Sequence, residues 1–586
     1  MLVAEQVFDR VLSPQECQTI VEGIDFAPVA THLAEISNFI ECAFDSSTIS
    51  KPDQWKRVQH LFTWMFRTDG QKRALKSITP ESHPFAPLSP QAIYATLELS
   101  GRFSPRTSRV SHLTDEERER IAHVILSFQS EALSSDLQAK FRPENKPDWV
   151  TMDRSVSAEF IRNRIANNPN RSYAAAISRL YAFAKIASIS AFFLKHIKVS
   201  VSDWFQNHLG MTCEEYLVAA VLAGTPGSRY TAENPVTAEL VHKLDEFFQS
   251  IPQAERERTL SLLEAASIDA DPIWKINRKA SKLSDQLYEA NTAYIQPIIR
   301  FPYGSLIVSK ICLWNQFMVG LPHSSLNLKR ARQGKRLSDE QVQEIRGGFG
   351  HLLEGYMQWL ILEWFGGSSA DFFYNYQVLV DGKWAERDIA VLYGDTLYLF
   401  EIKGKVHDLR LRESGSFEAF GNLVEEVSVQ VFQAAAAFIS GGVKRADSKP
   451  LPKFLTIIPI ALIYDPIPLN VFTGDHFDPW LEQKAKHPLF RKDGARHPVQ
   501  LLGLEDLEDC ERTLRLDLRP ENLLDVISIR AQEPEFRYKE IRTFSRSSSK
   551  PICPAALANL SFDALQFVTK TSRAFFSNTL ALDAKS

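Results

Sequence analysis

The chain has 586 residues, more than one hydrophobic core usually serves, so we expect about two to four domains. With 44% hydrophobic and 24% charged residues, wholesale disorder is excluded. A net charge of -4 excludes a global basic field, so any site for a polyanion must be local. The six cysteines form no CxxC pair, which argues against a zinc module or a disulfide framework and indicates reduced thiols in a cytoplasmic protein.

Residues 1–290 have the periodicity of helices. Segments such as 114–133 and 253–266 begin with acidic residues and repeat apolar positions three or four apart. We therefore predict a mainly α-helical accessory or recognition region. The most membrane-like stretch, 172–197, is interrupted by Arg179 and Lys185, so one buried amphipathic helix is predicted there and no membrane partner.

After residue 290 the pattern becomes that of an α/β domain, predicted over 291–520 and followed by a C-terminal extension over 521–586. The turn sequences Asp381-Gly382 and Gly394-Asp395 separate three strand-like runs and predict an antiparallel meander. We expect a mixed sheet flanked by helices on both faces. The predicted elements are a helix over 349–365, strands over 372–380, 386–393 and 396–403, a helix over 417–440, a strand over 453–464, and a short strand leading into a helix over 498–510.

The meander contains charges that its apolar pattern does not need. Strand alternation places Glu386 and Asp388 on one face of a strand, and Glu401 and Lys403 on one face of the next. The hairpin brings Asp388 beside Glu401, and two carboxylates so placed favour Mg²⁺ or Mn²⁺. Lys403 is suited to hold a water and to counter charge on a phosphate. Glu386 is either an extra ligand or a salt-bridge partner of Lys403.

The flanking helices carry further polar residues. Glu354 is the one acidic side chain in the first half of the apolar helix before the sheet, and it needs a partner such as a metal-bound water. Gln430 and Gln433 lie one turn apart on the helix after the third strand, and Gln430 is favoured to face the site. Three isolated histidines are interpreted as surface or packing residues: His323, His351 and His407.

This arrangement resembles the PD-(D/E)XK, or restriction-endonuclease-like, nuclease superfamily over about residues 345–510. Asp388 stands thirteen residues before Glu401, which is followed by Ile402 and Lys403. The resemblance implies a restriction-endonuclease-like core. It also implies that Asp388, Glu401 and Glu354 bind the metal, that Lys403 is the catalytic lysine, and that Gln430 is the later glutamine. Arg387 precedes Asp388 in place of proline, a departure that is common in the superfamily's looser members.

Two basic clusters flank these residues and are typical either of solvated loops or of a phosphate-tracking groove. They are Lys329, Arg330, Arg332, Lys335 and Arg336, and Lys403, Lys405, Arg410 and Arg412. No Walker, Rossmann or GxSxG motif indicates ATP, NAD or acyl chemistry.

We therefore predict a Mg²⁺- or Mn²⁺-dependent nuclease that acts on DNA, by analogy in restriction or defence against foreign DNA. A catalytically inactive scaffold that binds nucleic acid or protein, and an RNA nuclease, are the alternatives. Cutting both strands from one site per chain would favour a homo-oligomer.

Overall fold

The computed structural model describes residues 2–44, 51–77, 88–106, 112–132, 173–197, 200–229, 241–274, 283, 286–287, 292–318, 320–333, 337–365, 370–404, 417–464, 499–504 and 560–583.

The N-terminal region is mainly helical, as predicted. Side-chain caps explain where some helices begin: the carboxylate of Glu16 accepts the N–H of Ser13 at 2.8 Å, and Thr212 and Glu215 repeat this capping box. Its helices are α1 (Ala4–Phe8), α2 (Pro14–Glu22), α3 (Phe26–Phe44), α4 (Lys51–Met65), α5 (Thr68–Ser77), α6 (Pro90–Phe103), α7 (Asp115–Ala132), α8 (Tyr173–Lys185), α9 (Ala187–Phe192), α10 (Val201–Leu209), α11 (Cys213–Gly224), α12 (Leu244–Phe247) and α13 (Gln253–Ala265).

The single helix predicted over 172–197 is wrong. The chain leaves the helical conformation at Ile186, which separates α8 from α9, and a π-helical turn follows over Phe193–Ile197. No one helix among the described residues is long and apolar enough to span a membrane. One bent pair, Ile177–Lys185 with Ser188–Ile197, passes that test of length and composition jointly, with 74° between its halves.

A small sheet was not predicted. It has the order β1-β4-β3-β2, in which β2 and β3 are parallel and the other pairs antiparallel. The strands are β1 (Val241–His242), β2 (Ser267–Asp269), β3 (Ile298–Phe301) and β4 (Gly304–Ile307). Strands of two to four residues are too short to display a period of two. The domain boundary predicted at residue 290 falls between the paired strands β2 and β3.

A six-stranded mixed sheet follows, and the antiparallel meander is confirmed. Its order is β10-β9-β7-β6-β5-β8, with β7, β9 and β10 mutually parallel and the other pairs antiparallel. Left-handed backbone at Asp381 and Gly382 forms the first predicted turn. The strands are β5 (Asp371–Val380), β6 (Lys383–Tyr393), β7 (Thr396–Lys403), β8 (Val443–Lys444), β9 (Thr456–Ile463) and β10 (Gln500–Gly503).

Six further helices are described, and two of them, Asp339–Phe365 and Phe417–Ser440, pack against this sheet. The six are α14 (Thr292–Ile295), α15 (Lys310–Met318), α16 (Leu321–Gln333), α17 (Asp339–Phe365), α18 (Phe417–Ser440) and α19 (Leu560–Asp583). Helix α17 begins ten residues before the predicted 349. The helix predicted to end at residue 510 and most of the C-terminal extension lie outside the described residues.

Two hydrophobic cores cover the two faces of the six-stranded sheet. One core contains Tyr356 of α17 and Phe400 of β7, and it continues into the N-terminal helices through residues such as Phe39. The other packs Leu399 of β7 against Val431 of α18. The molecule is thus mixed α/β and mostly helical, and the N-terminal region packs directly on one face of the α/β part.

Strand alternation is broken where β5 and β6 pass Asn375. This residue has φ +48°, and the two side chains that pack against α18 on either side of it, Phe373 and Tyr376, are three positions apart. On the paired strand β6, Glu386 is exposed whereas Asp388 is partly buried, although simple alternation predicts a shared face.

Candidate functional site

The candidate site lies where β6 and β7 separate. Their ladder ends at the pair Ile389 and Phe400. One residue further, the Asp388 carboxylate accepts the backbone N–H of Ile402 at 2.7 Å through Oδ2. A side chain thus replaces the backbone acceptor that a continued ladder would supply, and it fixes the Asp388 carboxylate beside β7.

Glu401 is a nearly buried carboxylate with an incomplete set of partners. It is 4% exposed, and its Oε1 lies 3.4 Å from Lys403 Nζ. Its buried Oε2 has no hydrogen-bond partner among the described residues. Burial raises the pKa of Glu401, and the neighbouring charge of Asp388 raises it further. Such a group is costly to the fold unless something binds it.

The Asp388 carboxyl is affected in the same direction. Burial raises its pKa, the Ile402 N–H and the Lys403 charge lower it, and the Glu354 charge raises it, with a net increase. Both acidic groups therefore resist ionisation together, as expected for two carboxylates that share one site without a cation.

Lys403 provides the positive charge. Burial lowers its pKa, but the charges of Glu401, Asp388 and Glu354, with Glu426 of α18, raise it by more. The net shift is upward, so the side chain stays an ammonium ion. It can therefore donate hydrogen bonds and neutralise an anion, and it cannot act as a base near neutral pH.

Glu354 is anchored to the end of β7. Its Oε1 accepts the N–H of Gly404 at 3.2 Å, and its Oε2 lies 3.2 Å from Nδ1 of His351. This contact requires α17 to approach the strand closely: a Cβ on Gly404 would overlap the carbonyl oxygen of Gly350. His351 is exposed, as predicted, but it is not isolated.

Arg387, which the sequence pattern presents only as a replacement for proline, has a larger part in the structure. Arg387 is 6% exposed and donates to the carbonyls of Gln430 at 3.3 Å and Glu386 at 2.9 Å, and to Oε1 of Gln433 at 2.9 Å. Its charge lowers the pKa of both Asp388 and Glu401. An arginine beside the aspartate in an otherwise apolar run was the available signal.

The two glutamines have different surroundings. Gln433 is occupied by Arg387, whereas the buried Oε1 of Gln430 has no partner in the described part of the chain. Among the described residues no hydrogen bond joins Gln430 to the carboxylates, so the structure brings it near the site only through Arg387.

The three predicted metal ligands do not form one cluster. Across the described residues, no group of three or more His, Cys, Asp or Glu side chains is close enough to hold a metal ion. The pair Asp388 and Glu401 remains, with Glu354 turned to Gly404. The unpartnered Oε2 of Glu401 fits a hard divalent cation, because Mg²⁺ commonly binds one or two carboxylates and completes its shell with waters and phosphates.

Little of the two predicted basic clusters can be located. Lys329 Nζ lies 3.0 Å from Nδ1 of His208, and Arg330 is exposed. The other side chains in question, apart from Lys403, lie outside the described residues: Arg332, Lys335, Arg336, Lys405, Arg410 and Arg412, together with His323 and His407.

Comparison with family models, with curated proteins and with solved structures finds no match to this chain. The fold and the site define a mixed α/β protein in which a nearly buried glutamate and a partly buried aspartate lie beside a lysine.

Proposed function

We propose that the chain is a Mg²⁺- or Mn²⁺-dependent nuclease that hydrolyses phosphodiester bonds of DNA, with a PD-(D/E)XK-type core. The observation that carries the proposal is geometric: Glu401, which is nearly buried, lies beside the partly buried Asp388, and its Oε1 is 3.4 Å from Lys403 Nζ. The other oxygen of Glu401, Oε2, has no partner among the described residues. The order of helix α17, strands β5 to β7, helix α18 and strand β9 supports this type of core.

Stability alone does not explain the acidic pair. Each carboxyl has a raised pKa because of burial, so the metal-free fold holds both groups at a cost. A divalent cation would remove this cost, and Asp388 and Glu401 are the residues that would hold it. When bound, it would supply Lewis-acid polarisation of the phosphate and a more acidic water.

The other residues have supporting parts in this proposal. Lys403 donates a hydrogen bond to the attacking water or to a phosphate oxygen and stabilises negative charge that develops there. Glu354 keeps the end of β7 in place through Gly404, and Arg387 ties β6 to α18 beside the pair. We assign the side-chain amide of Gln430 to substrate contact.

A nucleic acid is favoured over a small substrate because the predicted basic clusters flank the acidic pair in sequence. DNA is proposed from the resemblance to the PD-(D/E)XK superfamily. The large helical region is in keeping with a restriction or defence enzyme, by analogy of architecture.

The test is cleavage of single- and double-stranded DNA and of RNA by the purified chain with Mg²⁺ or Mn²⁺. We expect metal-dependent cleavage of DNA, and expect Asp388→Ala and Glu401→Ala to abolish it while nucleic-acid binding persists. Asp395→Asn, at an exposed carboxylate in the turn between β6 and β7, is the matched control and should cleave like the wild type. Cleavage of RNA alone would favour the ribonuclease alternative. Failure to cleave any substrate would favour a binding scaffold.

A further inference from the structure

Helix α8 of the N-terminal region places a buried cation, Arg179, against two tyrosines next to the candidate site. Arg179 is 6% exposed, and its Nη1 donates to the phenol oxygen of Tyr464 at 2.9 Å. The guanidinium carbon lies 5.1 Å from the ring centre of Tyr464 and 5.7 Å from that of Tyr356. Both distances are within the range of cation–π attraction.

The two tyrosines belong to the two elements that hold the site residues in place. Tyr464 follows β9, and its N–H donates to the carbonyl of Lys403 at 3.0 Å. Tyr356 lies in α17, two residues after Glu354, and is 1% exposed. Arg179 of the N-terminal region therefore contacts one tyrosine that precedes the site strands in sequence and one that follows them.

Filling space does not explain an arginine at this position. Burying a guanidinium removes it from water at considerable cost, whereas a methionine of similar length could fill much of the same volume without that cost. What arginine adds is a planar, directional group that stacks on one ring and hydrogen-bonds to a phenol at the same time.

We propose that Arg179 is a positioning residue for phosphodiester cleavage. Through Tyr464 and Tyr356 it fixes the end of β9 against Lys403 and fixes α17 near Glu354. These contacts keep Lys403 aligned with the acidic pair. They also keep in place the clamp, which is the hydrogen bond from the Gly404 N–H to the Glu354 carboxylate. The proposal rests on the proposed function, and it makes the N-terminal region part of the catalytic unit.

The experiment compares Arg179→Met and Arg179→Lys with Lys185→Met in the full chain. Lys185 lies on the same helix but interacts with Glu214 and the ring of Phe567, away from the site. For Arg179→Met we expect kcat to fall about tenfold, because small displacements of reacting groups are costly. The KM for DNA should change by less than about twofold, and the Mg²⁺ concentration for half-maximal rate should rise.

Arg179→Lys keeps a cation over the rings and should be intermediate, and Lys185→Met should match the wild type. Tyr464→Phe removes only the acceptor hydroxyl and should lower kcat without adding to the loss in Arg179→Met, because both changes break one contact. If Arg179→Met does not fold, Arg179→Lys and Tyr464→Phe carry the test.

The outcomes separate this inference from the proposed function. A wild type that cleaves DNA, with Arg179 variants equally active, overturns the positioning role and leaves the nuclease standing. A loss of rate with a lower Tm but an unchanged Mg²⁺ requirement shows a merely structural arginine and also overturns it. A wild type that does not cleave overturns both.

Discussion

The helical region and the sheet domain each bury a glutamate, and the two are satisfied differently. Glu41 of α3 is 7% exposed, and Glu401 of β7 is 4% exposed. Burial raises the pKa of both. Glu41 accepts hydrogen bonds from the Ser309 hydroxyl, from the Ile311 N–H at 3.1 Å and from the Tyr94 hydroxyl at 3.3 Å.

The Glu41 partners belong largely to the first turn of α15, where unpaired N–H groups favour a negative charge. That carboxylate joins α3 to α15 and is complete without a ligand. Glu401 faces a second carboxylate and a lysine, and one of its oxygens is unpaired within the described residues. Burial alone is therefore a poor sign of function, whereas burial with unmet hydrogen bonding and like charge nearby is a better one.

The largest expected effect comes from making the same substitution at both glutamates. Glu401→Gln should lower metal-dependent cleavage about a thousandfold, because it removes a charged oxygen ligand. It should not lower the free energy of unfolding, because it also removes a like-charge contact. Glu41→Gln should lower that free energy by about 1–3 kcal/mol, since an amide nitrogen cannot accept the bonds that Glu41 receives.

The measurements are cleavage rates per folded molecule and urea unfolding of both variants. Full cleavage by Glu401→Gln, or a strong loss of cleavage per folded molecule in Glu41→Gln, would contradict the distinction between the two glutamates.

The acidic pair should also make the stabilising effect of a metal depend on pH. Burial raises the pKa of Glu401 to about 8 in the metal-free protein, and that of Asp388 to about 6. The folded state then holds protons that the unfolded state releases above its ordinary pKa of about 4. The contribution of this pair to stability therefore falls as pH rises from about 4 to about 8.

A cation binds the ionised pair, so Mg²⁺ should raise Tm more at pH 8.5 than at pH 6. Melting curves with and without Mg²⁺ across this range measure the effect. Glu401→Gln is the control and should flatten the pH dependence of the Mg²⁺ effect. An equal Mg²⁺ effect at both pH values in the wild type would speak against binding at the acidic pair.

Alanine substitutions at two glycines, Gly404 and Gly347, should have opposite effects on stability. A Cβ at Gly404 would overlap the carbonyl oxygen of Gly350, so Gly404→Ala must push α17 away and release Glu354. We expect about 1–3 kcal/mol of destabilisation and about a tenfold loss of cleavage. Apart from the nearby backbone of its own helix and its chain neighbours, a Cβ at Gly347 would meet no described atom within 4 Å. Gly347→Ala should therefore stabilise α17 by up to about 1 kcal/mol and leave cleavage intact. Unfolding and cleavage assays compare them, and normal cleavage by Gly404→Ala would show that the clamp is dispensable.

Sequence patterns predicted the features that depend on residues close together in the chain. Strand β7 has the predicted bounds, because a turn and an apolar run fix it within a few residues, and the hairpin register brings Asp388 to Glu401. The clamp between Glu354 and Gly404 was beyond such reasoning, since it depends on a close approach of two distant backbones. The contact of Arg179 with Tyr464 joins residues 285 positions apart and was equally out of reach.

The break at Asn375 shows the limit most clearly, because simple alternation does not hold through a strand that contains a left-handed residue. Simple alternation leaves Glu386 as an extra ligand or as a partner of Lys403. In the structure Glu386 is exposed, and Lys403 pairs with Glu401.

Glu386→Gln should therefore change the cleavage rate by less than about twofold, as expected for a surface substitution, whereas Asp388→Asn two residues later should abolish cleavage. Initial rates at saturating Mg²⁺ for these two isosteric variants measure the difference directly. A tenfold loss in Glu386→Gln would mean that β6 keeps regular alternation in the active protein. The site would then hold a third carboxylate, and the distinction between exposed and buried acids on this strand would not stand.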